Sequence, residues 1–283
     1  MLNGCAYILT VDVGNTFIRF GLFAEDSAAA QERPLATCEI TTPSSITADE
    51  ARMRLVQVMA ALAVDAGMPG ALVLAAAVLS CVVPALERPW KTALSRTCTG
   101  RVLTVGPGLK TGMPVHYDDP AEIGPDRIAD AVAARAVYGS PCIVIDLGTT
   151  TNIEVIDTHG TFVGGVIAPG LALGARSLSA AAARLPQVEP SAPTHVIGRN
   201  TREAMRSGVV LGEVARIDGM LDMVLAEMRA TKAAGEGSVP IVITGDDAEA
   251  LAALVGHSLT VDDALTLRGL AELYRINQKP RRV

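Results

Sequence analysis

The stretch Ile8-Leu9-Thr10-Val11-Asp12-Val13-Gly14-Asn15-Thr16 is an apolar run that ends in an Asp-x-Gly-x-Thr turn, and its pattern recurs later in the chain. The second copy is Cys142-Ile143-Val144-Ile145-Asp146-Leu147-Gly148-Thr149-Thr150. A second apolar run follows each turn, so each copy predicts a strand, a turn and another strand. The two aspartates are 134 positions apart (146 − 12), about one domain length. This spacing indicates two related α/β halves, with a cleft expected between them.

The residue types in the repeated turn suit phosphate binding. An aspartate that ends a buried strand is costly unless it meets a cation, and the neighbouring glycine lets backbone N–H groups approach phosphate oxygens. The alternative is two β-hairpins whose Asp, Gly, Asn and Thr only satisfy turn chemistry. Two copies at domain spacing favour phosphate binding.

Composition excludes several classes of partner. The formal net charge is −6 and the isoelectric point is near 5.3, so no basic surplus exists for bulk nucleic-acid or anionic-membrane binding. The longest apolar stretch, residues 70–86, is interrupted by Ser80 and Pro84, and the start of the chain, Met1–Thr10, reads as a first strand. These two readings, no signal peptide and no convincing membrane span, predict a cytoplasmic protein by default, and five scattered cysteines without CxxC pairs indicate free thiols.

Other nucleotide-binding motifs do not occur in the sequence. The segment Gly106–Thr111 lacks the GxxxxGK[ST] spacing of a P-loop, and no expected strand leads into a GxGxxG turn.

A helix is expected to begin at Gly124 and Pro125, which suit an N-cap and the first helical position. Asp126 then lies in the first turn, where a carboxylate could accept the proton of an attacking alcohol while Arg127 holds a substrate oxygen. The alternative is a purely structural Asp126, because acidic residues are favoured at this end of a helix. Tyr117, one loop earlier, could bind or pack on the same ligand.

Taken in order, the motifs resemble those of the type III pantothenate kinases, which belong to the superfamily of acetate kinase, sugar kinases, heat-shock chaperones and actin. The resemblance runs through nearly the whole chain and rests on the following segments: Asp12–Thr16, Ser80–Pro84, Tyr117–Pro120, Gly124–Arg127, Asp146–Thr149, Gly164–Leu171, Ser177-Leu178, Leu185-Pro186, Ile197–Thr201 and Leu265–Leu270.

The resemblance implies an α/β fold of two actin-like (ribonuclease H-like) domains, expected at residues 1–122 and 123–283, with the last helix able to pack back on the first domain. It implies a homodimer that shares its site across the interface, with ATP and pantothenate as substrates. It also implies Mg²⁺ with ATP and a monovalent cation, K⁺ or NH₄⁺.

The resemblance also assigns roles to residues. Asp126 would be the catalytic base, and Asp146 would hold the monovalent cation. The pantothenate-binding residues would be Tyr117, Gly124, Pro125, Asp126, Arg127 and, from the dimer partner, Thr201. The ATP-binding residues would be Asp12, Val13, Gly14, Asn15, Thr16, Phe17, Ile18, Arg19, Gly148 and Thr149.

Five positions depart from the pattern of these kinases: Asp119, Asp130, Thr150, Asn152 and Asp246. An aspartate in place of an asparagine exchanges an amide donor for a negative charge, which would weaken phosphate binding if it faced the site. The alternatives to a pantothenate kinase are therefore a non-catalytic regulatory protein on the same scaffold and an ATPase or phosphatase without an acceptor. The regulatory alternative is opposed by the retention of Asp12, Asp126, Arg127 and Asp146. The ATPase or phosphatase alternative is opposed by the motif for an acceptor, Tyr117 with Gly124–Arg127.

Overall fold

The computed structural model describes residues 6–27, 29–68, 70 and 72–278. Residues 1–5, which include Cys5 and form the first half of the expected Met1–Thr10 strand, lie outside the described residues. The chain divides into two compact units, Met1–Val137 with Ala264–Val283, and Tyr138–Asp263. This division differs from a boundary at residues 122 and 123, because the helix that begins at Pro125 groups with the first unit.

The first unit contains a five-stranded sheet in the order β3-β2-β1-β4-β5. Its strands are β1 Tyr7–Val13, β2 Phe17–Ala24, β3 Ala36–Thr41, β4 Leu74–Cys81 and β5 Val102–Thr104. Its helices are α1 Ala48–Asp65, α2 Pro84–Thr97, α3 Pro125–Tyr138, whose last residue falls in the second unit, and the C-terminal α8 Leu265–Ile276; a 3₁₀ turn covers Pro120–Glu122.

Local sequence explains where two of these helices begin. Thr47 and Glu50 form a capping box at the start of α1, in which each side chain bonds the other residue's backbone N–H. Helix α2 begins at Pro84, where the missing N–H costs no hydrogen bond. Trp90 of α2 is fully buried and packs 5.6 Å, centroid to centroid, from Phe20 of β2. These contacts fix α2 against the sheet, close to the end of β4.

The C-terminal helix α8 packs on β1, β2 and β4 of the first sheet. Gly269 of α8 lies so close to α3 that a Cβ atom there would collide with the carbonyl of Ala129. Arg268 donates from Nε to the Ala30 carbonyl at 2.6 Å. The close crossing of α8 with α3 explains why both helices group with the first sheet.

The second unit contains a five-stranded sheet in the order β10-β9-β6-β7-β8. Its strands are β6 Cys142–Leu147, β7 Thr150–Ile156, β8 Phe162–Pro169, β9 Ile241–Gly245 and β10 Thr260-Val261. Its helices are α4 Leu171–Ala181, α5 Thr201–Arg206, α6 Gly212–Ala230 and α7 Ala248–Ala252, with a π-helical turn at Ser207–Leu211 between α5 and α6.

The two sheets have the same topology. In each, the first three strands in sequence pair antiparallel as a meander, and the first strand also pairs in parallel with the fourth, which pairs in parallel with the fifth. Strands β6 to β10 therefore correspond one by one to β1 to β5. Asp12 and Asp146 occupy the same place, one residue before the end of the first strand of each sheet.

Each unit has its own apolar core, formed in the first by residues such as Leu9, Leu55 and Trp90 and in the second by residues such as Ile145, Ile217 and Leu221. Within the described part of the chain, no helix combines the length and the apolar character needed to cross a membrane.

Candidate active site

The first repeated turn is an exposed hairpin tip on a buried strand. Gly14 N–H donates to the Phe17 carbonyl at 3.0 Å, and the Thr42 hydroxyl donates to the Gly14 carbonyl at 2.7 Å. Asn15 and Thr16 are exposed at the tip. The expected ATP-binding run Asp12–Arg19 thus presents the polar groups of Asn15 and Thr16 to solvent.

Three other residues of that run are placed differently. Val13 and Ile18 are fully buried, so only their backbone groups could meet a phosphate. Arg19 Nε forms a 3.0 Å ion pair with Glu39 on the neighbouring strand β3, and its guanidinium lies 6.0 Å from the centre of the Phe17 ring. Arg19 is therefore engaged within the sheet and would have to leave Glu39 to bind phosphate directly.

Asp12 is a buried carboxylate in an unusual environment. It is 7% exposed, and neither its Oδ1 atom nor the hydroxyl of Ser80, its register neighbour on β4, has a hydrogen-bond partner among the described residues. Burial, followed by the negative charge of Asp126, raises the pKa of Asp12 to about 6, while the nearby Ser80 and Arg19 lower it in part. Because Ser80 is outside hydrogen-bonding geometry, we attribute its effect to proximity. A buried carboxylate oxygen without a donor suits a cation or a bound water.

Asp126 lies in the first turn of α3, as the sequence predicts. Its Oδ1 atom accepts a hydrogen bond from the Arg127 N–H at 2.8 Å. Burial raises the pKa of Asp126, and the backbone N–H groups and the charge of Arg127 oppose this rise. A carboxylate with a pKa raised toward neutrality is a better proton acceptor in catalysis than a fully solvated one.

The surroundings of Asp126 hold its carboxylate close to the helix end. A Cβ atom on Gly124 would collide with Asp126 Oδ1, so glycine leaves the space that the carboxylate occupies. Arg127 is 5% exposed, and Tyr117 is half-buried in the loop before the 3₁₀ turn. The first unit thus contains Asp12, Asp126, Arg127 and Tyr117, with Asp12 and Asp126 near enough to influence each other's charge.

The second repeated turn has a tighter setting. Gly148 N–H donates to the Thr150 carbonyl at 2.9 Å, and Gly170 N–H donates to the Thr149 carbonyl at 3.0 Å. A Cβ atom on Gly170 would collide with the Gly148 carbonyl. A Cβ atom on Gly245, whose φ of +89° already favours glycine, would lie 2.7 Å from Asp146 Oδ1. Carboxylate and carbonyl oxygens therefore crowd this turn.

Asp146 has register neighbours that differ from those of Asp12. Asp12 pairs with Arg19 and Ser80 on its flanking strands, whereas Asp146 pairs with Asn152 and Thr244. No group of three or more His, Cys, Asp and Glu residues in the described part of the chain is arranged to hold a metal ion. A cation at Asp146 would therefore draw its other oxygen ligands from backbone carbonyls, hydroxyls, water or substrate.

Thr201 is the first residue of α5 and is exposed, with Asn200 capping the helix through a 3.0 Å bond from Glu203 N–H.

Among the departures from the kinase pattern, Asp119 is exposed and accepts a 2.9 Å bond from Ala121 N–H, which caps the 3₁₀ turn. Asp130 is fully buried within α3, and Asp246 is half-buried after β9.

The sequence placed Ser80 and Gly170 in segments that resemble the kinase motifs, but it did not predict that they, or Gly245, lie against these turns. Gly170 and Gly245 pack on the second turn, and Ser80 lies beside Asp12, because strands distant in sequence are adjacent in the sheet. A glycine at or just after the end of an apolar run is the signal that could have indicated the two glycines.

The family model described as type III pantothenate kinase matches residues 8–223. A type III pantothenate kinase from Koribacter versatilis is 38% identical over 275 residues, covering 96% of each chain.

Solved structures support the fold. A Baf family transcriptional activator from Campylobacter jejuni superposes with a TM-score of 0.56 at 18% identity, covering 95% of this chain and 98% of that one. A ROK hexokinase from Thermus thermophilus gives a TM-score of 0.50 at 14% identity, covering 96% and 100%. These likenesses confirm the α/β fold of two actin-like domains that the resemblance to the kinases implies. The family match and the identity over nearly the full length show more: the chain belongs to the type III pantothenate kinase family.

Proposed function

We propose that this protein transfers the γ-phosphoryl group of ATP to the hydroxyl of pantothenate, giving 4′-phosphopantothenate in the first step of coenzyme A biosynthesis. Family membership supports the reaction. The observation that carries it is the placement of Asp126, a half-buried carboxylate with a raised pKa at the N-terminus of α3, beside Arg127.

Asp126 is the base in this proposal. Phosphoryl transfer needs little covalent chemistry from the protein, and it depends on positioning and on neutralising charge. Asp126 accepts the proton of the pantothenate hydroxyl as that oxygen attacks phosphorus, and ADP leaves. Pantothenate is bound by Tyr117, Gly124, Pro125 and Arg127, joined by Thr201 of the partner subunit. Arg127 offers a guanidinium suited to the pantothenate carboxylate.

Each repeated turn, considered by itself, offers groups that suit ATP phosphates. The first turn offers the exposed groups of Asn15 and Thr16, and the second offers Gly148 and Thr149. Asp12 fits the Mg²⁺ that accompanies ATP, because its Oδ1 atom is buried with no hydrogen-bond partner among the described residues. The ion would neutralise phosphate charge when bound.

The test is formation of phosphopantothenate from ATP and pantothenate with Mg²⁺, for the wild type and for Asp126→Asn. The substitution keeps the size of the side chain and removes its basicity, so we expect product from the wild type and a loss of at least about 100-fold in the variant. A folded Asp126→Asn protein that retains full activity would show that another group is the base. A wild type that makes no product at millimolar ATP would contradict the kinase and favour a regulatory role.

The proposal also includes a monovalent cation, K⁺ or NH₄⁺, bound at Asp146. Asp146 Oδ1 lies near Gly245, and the carbonyl oxygens of Gly148 and Thr149 lie near Gly170, so the turn has carboxylate and carbonyl oxygens that could ligate a cation. Oxygen ligands suit hard cations. We expect K⁺ to stimulate the wild type and not Asp146→Asn, with Na⁺ as the control at equal ionic strength. Equal rates in K⁺ and Na⁺ would contradict a specific site.

A homodimer follows from the same proposal. Helix α4 buries only Ala175; its own Leu178 is 40% exposed, and Ile167 of the preceding strand β8 is 60% exposed. Exposed apolar surface of this kind is typical of an interface. We expect a dimer in analytical ultracentrifugation and a monomer for the pair Ile167→Glu with Leu178→Glu, whereas a dimeric variant would place the interface elsewhere.

Subunit mixing tests whether Thr201 acts across that interface. Asp126→Asn and Thr201→Arg should each be inactive alone. If Thr201 completes the partner's site, a mixed dimer has one intact site, and about a quarter of wild-type activity should return in a random C2 mixture. If both residues serve the same subunit's site, mixing restores nothing.

We expect the protein to work in the cytoplasm. The support is that Cys38, Cys81, Cys98 and Cys142 are all free thiols, as a reducing compartment would keep them.

A further inference from the structure

The helical segment from Thr201 to Ala230 changes its winding at the π-helical turn Ser207–Leu211. Short π turns inside helices occur frequently at functional sites. Glu213 lies two residues after the end of the π-helical turn Ser207–Leu211, and its residue is only 5% exposed although its side chain is charged. A carboxylate this deeply buried is stable only when its oxygens are paired.

Both oxygens of Glu213 have partners. The Thr151 hydroxyl, itself buried in β7, donates to Glu213 Oε1 at 2.6 Å. Arg216, one helical turn later, donates from Nη2 to Glu213 Oε2. The same Arg216 atom donates to the Pro169 carbonyl, the last residue of β8, at 2.5 Å. Glu213 and Arg216 therefore hold β7 and β8 together from the side of α6.

The strand ends that they hold are the ones that flank the second repeated turn. Thr150, the first residue of β7, pairs with Pro169. Thr150 accepts the bond from Gly148 N–H, and Gly170, which follows Pro169, donates to the Thr149 carbonyl. Each residue fixed by Glu213 or Arg216 is thus one or two positions from a residue that shapes the turn.

We propose that Glu213 and Arg216 are positioning residues for the nucleotide: they set the geometry in which the turn of Gly148 and Thr149 meets the ATP phosphates. The proposal rests on the function proposed above. Neither residue touches substrate; each acts through Thr151 or Pro169. Displacements of well under 1 Å at groups that orient reacting atoms are enough to slow phosphoryl transfer.

Helix α6 has a second attachment to the sheet besides this contact. Val214, Ile217 and Leu221 of the same helix pack in the apolar core of the second unit. Burial of such side chains supplies most of a helix's attachment to a sheet. The polar contact is therefore separable from the fold, which makes its role measurable.

The experiment compares Thr151→Val, which removes only the hydroxyl, with Thr151→Ser, which keeps it, and adds Glu213→Gln and Arg216→Met. The readouts are the KM for ATP, the KM for pantothenate and the affinity for magnesium AMP-PNP followed by ³¹P NMR. We expect Thr151→Val, Glu213→Gln and Arg216→Met to raise the KM for ATP and the Kd for magnesium AMP-PNP about tenfold, the equivalent of one lost hydrogen bond to a charged group. The KM for pantothenate should stay within about twofold, and Thr151→Ser should behave like the wild type.

Glu272→Gln is the matched control. Glu272 is also buried and also pairs with an arginine three residues later, Arg275, but it lies on α8 in the first unit. If it raises the KM for ATP as much as Glu213→Gln does, or if the Glu213 and Thr151 variants lower only the melting temperature, the positioning role is wrong.

The two proposals fail in different ways. A wild type that binds magnesium AMP-PNP but forms no phosphopantothenate overturns the proposed function, and the Kd comparison still decides the role of Glu213. A wild type that binds no AMP-PNP at millimolar concentration overturns the positioning role itself.

Discussion

Gly124 and Asp126 share one space at the start of α3: the carboxylate of Asp126 occupies the position where a side chain on residue 124 would stand. The contact is made by the end of a flexible side chain and not by backbone. A larger residue at position 124 would therefore displace the carboxylate while leaving the helix in place.

Gly124→Ala should separate activity from folding. The added methyl group moves the Asp126 carboxylate from its bond with Arg127 N–H, so we expect kcat to fall by at least about tenfold, since a general base contributes 10²–10⁴ when well placed. Thermal unfolding should shift little. The measurements are steady-state kinetics and a melting curve followed by circular dichroism.

Gly219→Ala is the control for this substitution. Gly219 lies within α6 with open space around its Cα, so alanine there should stabilise the helix by up to about 1 kcal/mol and leave kcat unchanged. Full activity in Gly124→Ala would show that the Asp126 carboxylate need not lie over residue 124.

Asp12 should make the free enzyme less stable as pH rises. Burial and the charge of Asp126 raise the pKa of Asp12 to about 6 from 3.8, so the folded state holds this proton more tightly than the unfolded chain. The stability that the protonated form contributes is fully present below about pH 4 and is lost as pH rises through about 6. In Asp12→Asn this loss is absent, so its free energy of unfolding relative to the wild type should rise by up to about 3 kcal/mol over that window.

Urea unfolding at several pH values, without nucleotide or Mg²⁺, measures this difference. Asp119→Asn makes the same change in net charge at an exposed site and should show no such trend. A constant gap between Asp12→Asn and the wild type from pH 4 to 7 would mean that Asp12 is not strained by burial. Asp12→Asn should also lose kinase activity, because the amide is a poorer partner for Mg²⁺.

The sequence was sufficient for the main features of the fold because the repeated turn is a local pattern. Asp12 and Asp146 each follow an apolar run, and the strand order of the two sheets confirms the duplication. The start of α3 was also predictable, because Pro125 and Asp126 are local helix signals.

The remaining features depend on contacts between distant residues. The ion pair of Arg19 with Glu39 joins two strands, and the hydrogen bond of Thr151 with Glu213 spans 62 positions. The grouping of α3 and α8 with the first sheet likewise depends on the close crossing of Gly269 and Ala129. No periodicity or spacing in a single sequence encodes such pairs.

Asp119→Asn should leave catalysis unchanged. Asp119 is exposed and its carboxylate caps the 3₁₀ turn through Ala121 N–H, and asparagine can make the same bond. We expect both KM values within about twofold of the wild type and a change in stability below about 0.5 kcal/mol. A marked fall in the KM for ATP would show instead that the negative charge of Asp119 opposes nucleotide binding.

Asp218 and His257 supply a pH-dependent link between α6 and the loop before β10. Asp218 accepts bonds from Gly256 N–H at 3.0 Å and from the His257 ring at 2.9 Å, and Asp222 lies 3.2 Å from the other ring nitrogen. Burial alone would raise the pKa of Asp218, but the hydrogen bonds from His257 and Gly256 outweigh it and lower the pKa. The stability that Asp218 contributes is therefore fully present above the pKa that this carboxyl has in the unfolded chain, near 4. It is lost as the pH falls below that value through the lower pKa of the folded state.

Asp218→Asn should consequently cost about 1 kcal/mol of unfolding free energy at pH 7, a modest value because the side chain is partly exposed, and the cost should shrink below pH 4. Asp222→Asn is the comparison, since Asp222 is 76% exposed and should cost less than about 0.5 kcal/mol. Urea unfolding at pH 7 and pH 3.5 distinguishes them. Equal costs for the two variants, or a cost for Asp218→Asn that grows in acid, would mean that the hydrogen bonds of Asp218 do not hold this loop to the helix.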